Sequence, residues 1–290
     1  MVITNRKLTR PANLRALALR SSEEVDCIRA TGMVLALALD ATKSMCEVGV
    51  RTIELAQCAE DVIRVHGAEP IFKGYSQRNA ANGTSEFPAS ICCSINDEVV
   101  HGIPGDRQLA DGDLVSLDCG VRLNGWCADS AISFLIGDDV NAEYEQLLIA
   151  NHDCLALAIE MMRPGVAWST IATAMETLAA ERGCEVVPKY VGHGIGRALH
   201  EAPSVPAYLT DGLRGDGDFT LQTGMVLAIE PLLAWPTDGR SKFAQTTIDN
   251  DGWTVRTKSG GFASHFEHTI AVTRSGCEVL TAALQEVPHG

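Results

Sequence analysis

The stretch DGDLVSLDCGVRLNGWCADSAISF, residues 111–134, holds two apolar runs separated by Asn124-Gly125. Asn-Gly is the preferred two-residue hairpin turn, because both positions tolerate positive φ. Closing the chain there sets Leu123 opposite Trp126, Gly120 opposite Asp129 and Asp118 opposite Ala131. Asp118 and Asp129 then project from one face as diagonal neighbours, about 7–8 Å apart at the backbone. Two carboxylates so placed repel each other unless a cation or a proton lies between them. A solvated hairpin face would also accommodate them. The Leu, Val, Cys and Ala residues around them indicate a half-buried face, which favours the cation.

Two further acids lie in apolar, strand-like runs. Glu230 follows GMVLAI (224–229), and Glu267 lies within SHFEHTIAVT (264–273). Charges are rarely buried without a partner, so four acids on such segments suggest one shared site. The segment GHGIGRALHE (192–201) adds two histidines, His193 and His200, among three glycines. Glycine at these positions implies close approach to the backbone, read here as approach to a metal cluster with room for a substrate. Four carboxylates and the His193 imidazole form a hard, oxygen-rich donor set. It suits two divalent ions of the Co, Mn or Fe(II) kind better than one structural Zn, with Zn also possible at such a pair. Two ions with a bridging hydroxide are a common hydrolytic arrangement.

The rest of the chain bounds this reading. Its 290 residues suffice for a large core, and a net charge of −14 argues against specific nucleic-acid binding. No apolar run approaches the ~18 residues of a membrane span. Ten scattered cysteines fit reduced thiols in the cytoplasm better than a disulfide framework. Residues 1–20 carry five basic residues and no acid, read as a mobile or surface-docked basic arm in preference to an organellar targeting segment, with a polyanion such as the ribosome as a candidate contact. Ser21-x-x-Glu24 opens a helix as a capping box. Gly49-Val50 and Gly67 recur as Gly165-Val166 and Gly183, each 116 residues on, with a helix expected between the members of each pair. This repeat divides a single domain, 21–290, into α/β halves of about 21–148 and 149–275.

The ordered set HGIP (101–104), SLDCG, CADSA, GHGIGRALHEAP, AIEP and FEHTIAVT resembles the type I methionine aminopeptidases, which are pita-bread metallopeptidases. The resemblance runs from about Ser21 to Ser275. It implies an α/β (α+β) fold with two pseudo-symmetric halves around a central antiparallel sheet holding a dinuclear metal site. It implies that Asp118 binds one metal, that His193 and Glu230 bind the other, and that Asp129 and Glu267 bridge them. His101 and His200 would be catalytic without binding metal, and Glu230 would also move a proton. The implied activity is removal of the initiator methionine from nascent chains by a cytoplasmic monomer. A related dimetal aminopeptidase with another first-residue preference, Xaa-Pro included, and a non-catalytic binding protein on the same fold are the alternatives.

Tyr75, Cys92, Leu199 and Trp253 match the family's substrate-binding positions, with two departures. Eleven residues separate Tyr75 from Phe87 where the family usually has two, an insertion of about nine. Leu199 stands where an aromatic residue is usual.

Overall fold

Ser21 begins the first helix with a reciprocal cap. Its hydroxyl accepts from the Glu24 N–H at 3.3 Å, and the Glu24 carboxylate accepts from the Ser21 N–H at 3.0 Å. The computed structural model describes residues 17–79, 83–139, 141–237 and 241–282, so the basic arm lies outside the described residues as far as 16. Helix α1 (Ser22–Ser44) buries Ile28, Leu35 and Leu39, and α2 (Thr52–Val65) packs beside it through Leu55 and Ile63.

The 111–134 stretch closes as its turn requires. Strands Leu114–Leu123 and Trp126–Leu135 pair antiparallel in the expected register, including Gly120 with Asp129 and Asp118 with Ala131. Asn124 and Gly125 both have positive φ, 51° and 77°. Strand Cys92–Ile95 flanks the hairpin and sets Cys92 opposite Asp118. Helix α1 lies across the hairpin, and the Thr31 hydroxyl donates to the Trp126 carbonyl.

The suspected repeat is visible in the backbone. Gly49 and Gly165 share φ near 90°, and their N–H groups donate to Leu109 and Leu221 at 2.8 and 2.9 Å. Leu109 and Leu221 return the bond to Val50 and Val166. Gly67 and Gly183 each follow a helix with positive φ. In the second half, α3 (Ala142–Met161) and α4 (Trp168–Glu181) pack together. Helix α3 begins at Ala142, where the Asn141 side chain accepts the Glu143 N–H at 2.8 Å.

The second half also carries a five-stranded sheet, in the order Glu201–Val205, Gly192–Gly194, Val226–Ile229, His268–Val272 and Cys277–Val279. All its pairs are antiparallel. The two halves join where Ala131 and Glu267 exchange backbone hydrogen bonds at 3.0 and 3.3 Å. Thr269 ties the same place again, accepting the Asp129 N–H at 2.9 Å and donating to the Asp129 carbonyl at 2.8 Å. The inserted residues form a hairpin of their own, Ser76–Asn79 against Gly83–Glu86. It stands on Tyr75 and Phe87, with the Phe87 N–H donating to the Tyr75 carbonyl. Among the described residues, no helix is long and apolar enough to cross a membrane.

Gly32 lies inside α1, where alanine would ordinarily be favoured by about 1 kcal/mol. A Cβ there would stand 2.2 Å from the Leu280 carbonyl oxygen. That oxygen belongs to backbone fixed by the Leu280 N–H bond to Thr269 at 2.9 Å. Gly32→Ala should therefore destabilise, by about 1–3 kcal/mol as overpacking does. A thermal midpoint equal to or above wild type would contradict this packing.

Candidate active site

A cavity of about 320 Å³ opens where the halves meet, and all five expected ligands line it: Asp118, Asp129, His193, Glu230 and Glu267. The hairpin register explains the aspartates. Residues on opposite strands of a non-bulged ladder share a face with their neighbours two positions away, so Asp118 and Asp129 both point inward. The glutamates come from the second sheet. Pairing of Val226–Ile229 with His268–Val272 runs to Ile229 opposite His268, and one more step would set Glu230 opposite Glu267.

His193 sits on the short strand between two others, opposite Ala228 and Ser204. Its Nδ1 lies 3.0 Å from the Gly194 carbonyl, which can only accept, so Nδ1 carries the hydrogen and Nε2 is left with a lone pair. That Nε2 faces Asp129 Oδ2 and Glu230 Oε1, each at 3.8 Å. Burial, with His200 beside it, lowers the His193 pKa to about 3, which keeps the ring neutral. The glycines beside it have a different reason from the expected one. A Cβ on Gly192 or Gly194 would stand 2.3 Å from the Ala228 or Ala202 carbonyl oxygen. They admit the neighbouring strands.

The carboxylates are poorly satisfied by the protein itself. Asp118 Oδ1, Asp129 Oδ1 and Glu267 Oε1 are buried without a hydrogen-bond partner. Burial is the main cause raising the acid pKa values, to about 7 for Asp118 and about 8 for Glu267, and well above the usual range for Asp129 and Glu230. Orphaned, closely set, hard oxygen atoms beside a neutral imidazole are what divalent cations require. Donor atoms of Asp129, His193 and Glu267 lie within 4.8 Å of one another, as do those of Glu230, His265 and Glu267. Asp118 lines the same cavity but belongs to neither tight group.

His101 and His200 line the same cavity. His101 has a left-handed backbone, φ 60°, and its ring meets Tyr190 and Trp253 edge-on. Burial lowers its pKa to about 4. His200 packs against His193 at 4.2 Å between ring centroids, and its Nδ1 lies 2.8 Å from the Tyr75 hydroxyl. Cys92, Leu199 and Trp253 are buried on the lining, and Tyr75 is partly exposed at its edge. Phe72, Phe87, Lys189, Tyr190 and Val191 also line the cavity, none of them picked out as lining residues from the sequence. His265 is the larger omission. Its i, i+2 relation to Glu267 on an extended segment was the available signal.

Arg20, the last residue of the basic arm, ties into this site. Its guanidinium bonds to Glu201 and lies over the Trp126 ring. Glu201 Oε1 accepts the N–H groups of Arg197 and Ala198, which shapes the turn carrying Leu199 and His200.

The model of metallopeptidase family M24 matches residues 26–274. The chain is 42% identical over 283 residues to "Methionine aminopeptidase 1" of Mycobacterium tuberculosis, covering 95% of this chain and 99% of that one. It is 40% identical over 262 residues to "Methionine aminopeptidase 1" of Bacillus subtilis, covering 90% and 98%. Among solved structures, methionine aminopeptidase from Rickettsia prowazekii superposes with a TM-score of 0.82 at 33% identity, covering 91% of this chain and 99% of that one.

An acid whose folded pKa is raised binds its proton more tightly when folded. Its stabilising contribution is complete below the unfolded pKa and is lost as pH rises through the folded one. Chelator-stripped protein should therefore lose thermal midpoint as pH rises from about 4 to about 8, the window set by Asp118 and Glu267. Asp118→Asn, neutral throughout, should flatten that decline. Melting curves across the window in which wild type and Asp118→Asn run parallel would argue against a buried, protonated Asp118.

Proposed function

We propose that this chain, which belongs to metallopeptidase family M24, is a methionine aminopeptidase that removes the amino-terminal methionine of nascent proteins. The observation that carries this is the set of buried, unpartnered carboxylate oxygens facing an apolar-lined cavity. Asp118 would hold one divalent ion, His193 and Glu230 the other, with Asp129 and Glu267 shared between them. Co, Mn and Fe(II) match these donors, and Zn is compatible. When bound, the ions would polarise the scissile carbonyl and activate water.

The chain's own groups divide the remaining work. Glu230, whose pKa burial and Glu267 hold up, would take a proton from the attacking water and deliver it to the leaving amine. His200 would donate toward the developing oxyanion, and its Nδ1 contact with Tyr75 orients the ring for this. His101, neutral and held edge-on by Tyr190 and Trp253, would hold the peptide link beyond the first residue. Cys92, Leu199 and Trp253, joined by Phe87 packed edge-on to Trp253 at 5.2 Å, would enclose an unbranched thioether side chain. Action on new chains would place the enzyme, as a monomer, in the cytoplasm, where the basic arm could contact the ribosome by charge.

Metal-depleted protein should be inactive on Met-Ala-Ser and regain activity with Co(II), Mn(II) or Fe(II), while Ala-Pro-Ala remains a poor substrate. A better kcat/KM for Ala-Pro-Ala would move the specificity to Xaa-Pro.

The roles of the histidines separate in a second measurement. His101→Ala should retain both ions by elemental analysis and lose on the order of 10²-fold in kcat. His193→Ala should instead bind less metal. The reverse pattern would exchange their assignments.

A further inference from the structure

His265 has no part in the assignments above, yet it is the most buried imidazole near the acids, 2% exposed. It ends strand Ala263–His265, paired to Leu232 on the neighbouring strand. Ser133 fixes its backbone on both sides: its hydroxyl accepts the His265 N–H at 2.9 Å and donates to the His265 carbonyl at 2.8 Å. Extended backbone alternates sides, so Phe266 packs into the hydrophobic core beneath α3 and α4 while His265 and Glu267 share the other side. The ring nitrogen Nε2 lies 3.5 Å from Glu267 Oε2 and 3.7 Å from Glu230 Oε2, and it has no hydrogen-bond partner.

Two features distinguish it from His193. The five assigned ligands line the cavity, whereas His265 does not. Glu230 presents Oε1 to His193 and the other oxygen, Oε2, to His265. The Glu230 carboxylate thus stands between two imidazoles, one on the side of the cavity and one behind it.

We infer that His265 is a positioning residue, whose Nε2–H, a short movement from either Oε2, holds the Glu230 and Glu267 carboxylates in place for metal binding. A fixed donor behind a ligating carboxylate keeps its other oxygen aimed at the ion and removes freedom that binding would otherwise have to quench. This rests on the ligand assignment proposed above.

The test is titration of chelator-stripped protein with Co(II), followed by calorimetry and by the visible absorption of the bound ion. Wild type should bind two ions; failure to bind any would overturn the metal site itself. Given wild-type binding, His265→Leu should bind on the order of 10- to 100-fold more weakly. His265→Gln, which keeps a terminal donor, should recover affinity to within about threefold with an unchanged Co(II) spectrum. Wild-type affinity in His265→Leu would refute the inference. So would a His265→Gln protein that binds weakly with an altered spectrum, because His265 would then be a ligand. Should His265→Leu not fold by thermal melting, the His265→Gln comparison decides alone.

Discussion

Four carboxylates gathered around one small cavity repel one another, and the fold has to hold them there. Two unit charges about 5 Å apart at an effective dielectric of 20 repel by roughly 3 kcal/mol. A domain's whole stability is only about 5–15 kcal/mol. Four such charges cannot persist without a countercharge, so the group either takes up protons or takes up cations. The raised acid pKa values describe the first state. The orphaned oxygen atoms describe readiness for the second. Rigid backbone is the third requirement. The Ala131–Glu267 exchange and the two Thr269 bonds at Asp129 lock the sheets together at the point of greatest repulsion.

The repeat explains how one chain brings these acids together. Asp118 comes six residues after Gly112, and Glu230 six after Gly224. Both glycines have positive φ, 81° and 91°, and their N–H groups donate to Ile136 and Val272 at 2.8 and 2.9 Å. Asp118 and Asp129 lie on the two paired strands of the hairpin, while Glu230 directly follows Val226–Ile229 and Glu267 directly precedes its partner strand His268–Val272. The site lies between the halves because neither alone provides enough donors.

How much of this could be read from residues alone varied with the range of the interaction. The hairpin register was fully legible, since Asn124-Gly125 fixes it locally and everything from Asp118 to Asp129 follows by counting. Glu230 and Glu267 were legible as charges without local partners. For the glycines around His193, sequence shows only that something approaches closely; the approaching groups are the Ala228 and Ala202 carbonyl oxygens of the two flanking strands and, at Gly196, the Arg20 guanidinium. His265 passed unnoticed beside Glu267, since a histidine in an apolar strand ordinarily packs as core. Its approach to Glu230 depends on pairing of Leu232–Ala234, two residues beyond Glu230, with the strand ending at His265. The hairpin form of the insertion was equally out of reach, being set by pairing that its composition does not demand.

Chemistry and selectivity meet in one residue pair of the central hairpin. Asp129 faces Gly120 across the ladder, so both positions belong to the side that carries the acids. A Cβ on Gly120 would stand 2.5 Å from the Phe72 ring, which lines the cavity. The bare backbone opposite a proposed bridging acid is thus what lets an apolar wall close against the carboxylates. Buried apolar neighbours raise the cost of leaving those charges uncompensated and, in the same step, define the slot for a substrate side chain. A single apolar contact in such a slot, Leu199 in place of a ring, changes discrimination by only about 1–3 kcal/mol. Losing Asp129 or Glu267 would remove donors proposed to serve both ions. The metal-binding face is therefore the rigid constraint, and the lining is the part that can vary around it.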